Sequence, residues 1–239
     1  MRRVLMAAAL LLMVLLAPVP MASAAPTARV HVIVCPTSLG VNNPPKPVAS
    51  SATMPASAAH LVVYSTTSGY LQILGPRNLA CQGGIGADGG ANITAWSASS
   101  PNAGIGHGGV TAVVYPTCLA CQLTLACPFF PAALRALRSQ YSYLNCGSQP
   151  LGQIVRRLSA DAVAFADPAG EYVSPHADSL VPSNSPYPAN GVVVYDIYRY
   201  RGYRDSTTMG AVCVLPASEH AVCTAVLNEF LATQVRNFT

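Results

Sequence analysis

Eight cysteines stand in this 239-residue chain: Cys35, Cys81, Cys118, Cys121, Cys127, Cys146, Cys213 and Cys223. All of them follow an apolar N-terminal segment. That segment begins with Met1-Arg2-Arg3, runs through fourteen apolar residues (4–17), breaks at Pro18 and Pro20, and ends in Ala22-Ser23-Ala24. Cationic start, apolar run and small residues before a cut are the three parts of a secretory signal peptide. Fourteen residues fall short of the roughly 18 that span a bilayer. The expectation is therefore a signal over residues 1–24 and a secreted, extracytoplasmic domain over 25–239, with no membrane span after cleavage. An even number of cysteines in an exported chain reads as a disulfide framework.

Eight cysteines allow 105 pairings, so spacing does not fix the map. Some pairs are better choices than others. Cys213 and Cys223 sit close across a turn carrying Pro216, with no other cysteine nearby. Cys35 and Cys81 are the two that precede the 118–146 group, and the four in that group then pair among themselves. Cys118-Leu-Ala-Cys121 has the C-x-x-C spacing of a redox motif, but no βαβ unit surrounds it and a third cysteine follows six residues on. Structural bridging is the preferred reading. No metal is expected, since four reduced cysteines would be required and their spacing is not that of a zinc ribbon or finger.

Composition narrows the partners. The chain is 51% hydrophobic and 9% charged, against about 25% charged in an ordinary globular protein. That balance excludes intrinsic disorder. Thirteen Lys+Arg against nine Asp+Glu give only +4, and losing Arg2 and Arg3 leaves eleven cations against nine carboxylates, or +2. A nucleic-acid partner is not expected.

Along the mature chain, 29–35 alternates and is rich in β-branched residues, as a strand does. Residues 36–59, with Pro44, Pro45, Pro47 and Pro55 among Ala, Ser and Asn, read as an extended connection without a packing face. Residues 61–64 and 70–74 flank a Ser/Thr/Gly turn and predict a hairpin. Further strands are expected near 93–97, 110–115, 162–166 and 192–200. Two main helices stand out. Around Pro131, the apolar positions Phe130, Leu134, Leu137 and Tyr141 recur at helical spacing and leave Arg135 and Arg138 outside. From about 216 to 234, Val222, Val226 and Phe230 make a stripe widened by Cys223, Leu227 and Leu231. Strands around isolated helices, without βαβ alternation, point to a single disulfide-stapled α+β domain with an antiparallel sheet. No internal repeat is evident.

Chemistry-bearing patterns are scarce. His31, His60, His107, His176 and His220 form no H-x-x-x-H or H-E-x-x-H pair, and no G-x-S-x-G elbow supplies a nucleophile. The glycine-rich run 83–90, with Asp88 in it, lacks the Lys-Ser/Thr of a phosphate loop and reads as a tight turn. No converging pair of carboxylates is visible. The most distinctive stretch holds Tyr195, Tyr198, Arg199, Tyr200, Arg201, Tyr203 and Arg204. Tyr can stack and hydrogen-bond while Arg forks onto carboxylate or phosphate, so these seven are the candidate binding residues. An exposed hairpin edge guarded by charge is the plainer alternative.

Several segments resemble those of secreted actinobacterial proteins with no assigned activity. They include Cys35-Pro-Thr, Leu74-Gly-Pro-Arg-Asn-Leu-Ala-Cys81, Gly86-Ala-Asp-Gly-Gly90 and Ala126-Cys-Pro-Phe-Phe-Pro-Ala-Ala-Leu134. Arg156-Arg-Leu-Ser-Ala-Asp-Ala-Val-Ala-Phe165, Tyr187-Pro-Ala-Asn-Gly-Val-Val-Val-Tyr195 and the run 213–230 belong to the same set. The resemblance implies a bacterial envelope setting and nothing catalytic. It also makes the sequons at Asn92 and Asn237 irrelevant to glycosylation. The expected role is a non-catalytic binding or interaction protein without a cofactor, its partner a cell-wall polymer or another secreted protein. An extracellular hydrolase with a Ser/His/Asp site gathered by the fold and a secreted protease inhibitor are the alternatives.

Overall fold

The computed structural model describes residues 26–40, 48–98, 105–146, 152–170, 185–200 and 203–238. Twelve strands among these residues form two sheets. The smaller sheet joins β1 (Thr27–Val34), β3 (Ser51–Pro55), β4 (Val62–Ser65) and β5 (Gln72–Gly75), in the order β3-β1-β4-β5. The larger runs β2-β6-β7-β8-β12-β11-β10-β9. Its members are β2 (Thr37–Leu39), β6 (Ala80–Ile85), β7 (Ala91–Trp96), β8 (Gly109–Tyr115), β9 (Ile154–Arg157), β10 (Ala162–Asp167), β11 (Ala189–Tyr200) and β12 (Tyr203–Val214).

Both faces of the larger sheet are covered, and its central strands show why. Along β12, Met209, Ala211 and Cys213 join one apolar cluster, whereas Val212 and Val214 join the other. Such double burial turns a strand into a near-continuous apolar run rather than an alternating one. On the first face lie the smaller sheet and helix α3 (His220–Phe238). On the second lie α1 (Leu119–Ala126) and α2 (Pro131–Gln140). Helix α2 opens at Pro131, buries Ala133 and Leu137, and exposes Arg135 and Arg138. Helix α3 buries Cys223, Val226, Leu227 and Phe230.

The fold is mixed α+β, as expected, with three corrections. The sheets are not purely antiparallel, because β1 runs parallel to β4 and β2 parallel to β6. A long excursion through β2 and β3 separates β1 from β4, which supplies the crossover that parallel pairing needs. Among the described residues there are three α-helices rather than two, the additional one, α1, being capped by Cys118 of the C-x-x-C segment. Finally, 36–59 is not a bare connection. It contributes β2 and β3 and a 3₁₀ turn at Ala56–Ala58, and it buries Met54 and Ala58. Small Ser, Thr and Ala side chains make a workable edge strand once β1 satisfies their backbone groups.

All eight cysteines are joined: Cys35–Cys81, Cys118–Cys121, Cys127–Cys146 and Cys213–Cys223. The first ties the smaller sheet to β6 of the larger. The last ties β12 to α3. Among the described residues, no helix is long and apolar enough to cross a membrane.

Candidate functional site

An open cleft of about 470 Å³ lies at the β2 edge of the larger sheet. Its floor and rim come from three separate segments. Strand β2 pairs with β6 so that Ser38 faces Gly84, and β6 pairs with β7 so that Asn92 faces the same Gly84. Glycine at 84 keeps that spot low. A Cβ there would stand 2.9 Å from Asn92 Oδ1 and 3.3 Å from Ser38 Oγ. The exposed amide of Asn92 and hydroxyl of Ser38 therefore meet over bare backbone.

The β6–β7 connection closes the second side. Gly86 N–H donates to Gly90 O (2.7 Å), and Gly89 adopts φ +76°, a left-handed conformation that glycine takes without steric cost. Asp88 Oδ1 accepts from Gly90 N–H at 2.9 Å, an Asx-type turn, and the Thr117 hydroxyl donates to Asp88 O. Gly40 N–H donates to Ile85 O (2.7 Å), fastening the β2 end to the same loop. The result is a held, exposed carboxylate at Asp88. Tyr115, at the end of β8, supplies an aromatic wall. Tyr70 is close enough to feel the loop's charge: burial, and then the Asp88 carboxylate, hold its phenol above the usual value.

Beside this cleft sits the start of α1. Asp88 and the sulfurs of Cys118 and Cys121 offer ligand atoms that all lie within 4.8 Å of one another. With the two sulfurs bonded to each other, neither is the thiolate a metal requires. Helix α1 is seated by its inner face, where Leu123 and Leu125 are buried and the Ser206 hydroxyl donates to the buried Gln122 Oε1.

The seven candidate binding residues fall elsewhere. Tyr195 is in the core, 6% exposed, with its ring 5.7 Å from that of Phe130; it is not part of a cationic surface. Tyr198, Arg199 and Tyr200 belong to β11, and Tyr203 and Arg204 to β12, with Arg199 opposite Arg204 and Tyr200 opposite Tyr203. Their side chains and the whole of Arg201 lie outside the described residues. Neighbouring β10 stops opposite Val194 and β8 opposite Thr208. From Asp196↔Thr207 to Tyr200↔Tyr203 the hairpin is thus a two-stranded ribbon with no third strand beside it among the described residues.

His31, His60, His107 and His220 are exposed, and His176 lies outside the described residues. No imidazole of these four hydrogen-bonds to a serine or a carboxylate among the described residues.

Sequence reading made the whole 83–90 run a tight turn, whereas 83–85 belong to β6 and only 86–90 turn; it also missed the cleft. Ser38, Asn92 and Tyr115 carry no motif, and only strand register brings them together. No protein-family model, curated protein or solved structure matches this chain.

Proposed function

We propose that the protein is an exported, non-catalytic binding protein of the bacterial cell envelope or exterior, and that its cleft takes a hydroxyl-rich ligand, a cell-wall glycan. The observation that carries this reading is the meeting of Asn92 and Ser38 over Gly84 in a cleft that Asp88 and Tyr115 also line. An amide offers both donor and acceptor, and a carboxylate accepts through two oxygens. Together they match vicinal hydroxyls, while an aromatic face covers the apolar side of a sugar ring. The cleft falls within the roughly 300–1,000 Å³ of small-molecule sites, and its openness suits one unit of a longer polymer. Four disulfides in a charge-poor chain with a signal-like N-terminus support an extracytoplasmic setting. The resemblance to secreted actinobacterial proteins supports the envelope.

Calorimetric titration with solubilised cell-wall polysaccharide fragments tests the reading. Saturable binding is expected, weakened at least tenfold in Asn92→Ala and Tyr115→Ala variants whose melting temperatures are unchanged. No saturable binding to any such fragment, or binding indifferent to both substitutions, would sink it.

A further inference from the structure

The four disulfides are not alike. Cys35–Cys81, Cys127–Cys146 and Cys213–Cys223 are separated by 46, 19 and 10 residues, and each has at least one fully buried cysteine. Cys118–Cys121 spans three residues, and both of its cysteines are partly exposed. Closing so short a loop removes the least entropy from the unfolded chain. The bond also joins no two elements, since both cysteines belong to the first turn of α1 and its cap. Stability does not account for it.

Its surroundings do. Strand β8 ends at Tyr115, two residues turn the chain, and Cys118 is the N-cap of α1. Cys121 N–H points at Cys118 Sγ, 3.3 Å away. A sulfur that caps a helix and receives a backbone N–H is stabilised as a thiolate by that donor and by the positive end of the helix dipole; the Asp88 carboxylate, within 4.8 Å, opposes this. A stabilised thiolate is a good leaving group in exchange. The pair also lies beside the cleft, within 4.8 Å of the lining residue Asp88, and both cysteines are partly exposed.

We infer that, in addition to the cleft's binding role, Cys118–Cys121 is an exchangeable dithiol–disulfide that oxidises dithiols in other exported proteins stoichiometrically, one per copy of this chain. A substrate thiolate attacks Cys121 Sγ, the Cys118–Cys121 bond breaks, and Cys118 departs as the thiolate. The second substrate thiolate then attacks the substrate sulfur of the mixed disulfide and releases Cys121. One disulfide is lost here and one is formed in the substrate. Two electrons pass to this pair, and the two thiol protons of the substrate end, through solvent, on Cys118 and Cys121.

The test is a redox titration of the full chain in graded dithiothreitol buffers, with alkylation and peptide mapping at each step. Cys118–Cys121 should open at least a hundredfold earlier in dithiol-to-disulfide ratio than the other three pairs, about 59 mV for a two-electron couple. A reduced synthetic dithiol peptide, mixed with the oxidised protein, should be oxidised in one-to-one exchange. A Cys118→Ser/Cys121→Ser variant should keep the other three bridges and its folded state, yet leave the peptide reduced. Opening of all four pairs together, or peptide oxidation undiminished in the double variant, would overturn the inference.

Discussion

The Phe165 ring lies flat over Gly191, its cross-strand partner on the adjacent strand, so closely that a Cβ at 191 would fall 2.2 Å from Phe165 Cζ. The Phe165 ring also stacks on that of Phe129, the ring centroids 5.2 Å apart and the planes 20° from parallel. A ring so fixed has nowhere to retreat. Gly191→Ala should therefore act as overpacking does and destabilise the fold by about 1–3 kcal/mol. In urea unfolding, Phe165→Leu made in the Gly191→Ala background should cost less than Phe165→Leu alone, because the smaller side chain clears the methyl. Simple additivity of the two would show that the ring and the glycine are not coupled.

That pair also marks the limit of sequence reading. Strands near 162–166 and 192–200 were legible because β-branched and apolar residues cluster there, and α2 and α3 because their apolar positions recur at helical spacing. Pairing is another matter. That Phe165 meets Gly191, or that Ser38 and Asn92 meet over Gly84, depends on register between segments tens of residues apart, and no local pattern encodes it. Tyr195 shows the converse failure. It stands in an Arg/Tyr-rich stretch that looks like a surface, yet strand alternation turns it inward to Phe130.

Cys213 is the last but one residue of β12 and Cys223 lies one turn into α3, with their Cα atoms 5.4 Å apart. Both are buried, beside Val226 and Phe230 on the helix face that covers the sheet. This bond clamps helix to sheet, in contrast to Cys118–Cys121. Cys213→Ala/Cys223→Ala should lower stability by about 2–3 kcal/mol in the chain-entropy picture, seen as a reduced melting temperature, without disturbing the other three bridges. A double variant as stable as the parent would mean that α3 is held by its apolar face alone. Re-pairing among the other six cysteines would mean that this bond directs oxidative folding.

Asp167 closes β10 almost out of solvent, 3% exposed. Burial raises its pKa from 3.8 to about 6, offset in part by the hydrogen bond from Gln153 Nε2 to Oδ1 at 2.6 Å. Gln153 Oε1 is buried and unpartnered in that arrangement. Between about pH 4 and pH 6 the folded protein thus keeps a proton that the unfolded chain has released. Its contribution to stability is full below about pH 4, declines as pH rises through this window, and is gone above about pH 6. Asp167→Asn, isosteric and uncharged, should abolish that decline. The expected outcome is a variant more stable than the parent at pH 7 and nearly equal to it at pH 4, measured by urea unfolding at both. A parent-minus-variant difference that stays constant from pH 4 to pH 7 would show that the buried carboxyl does not hold its proton.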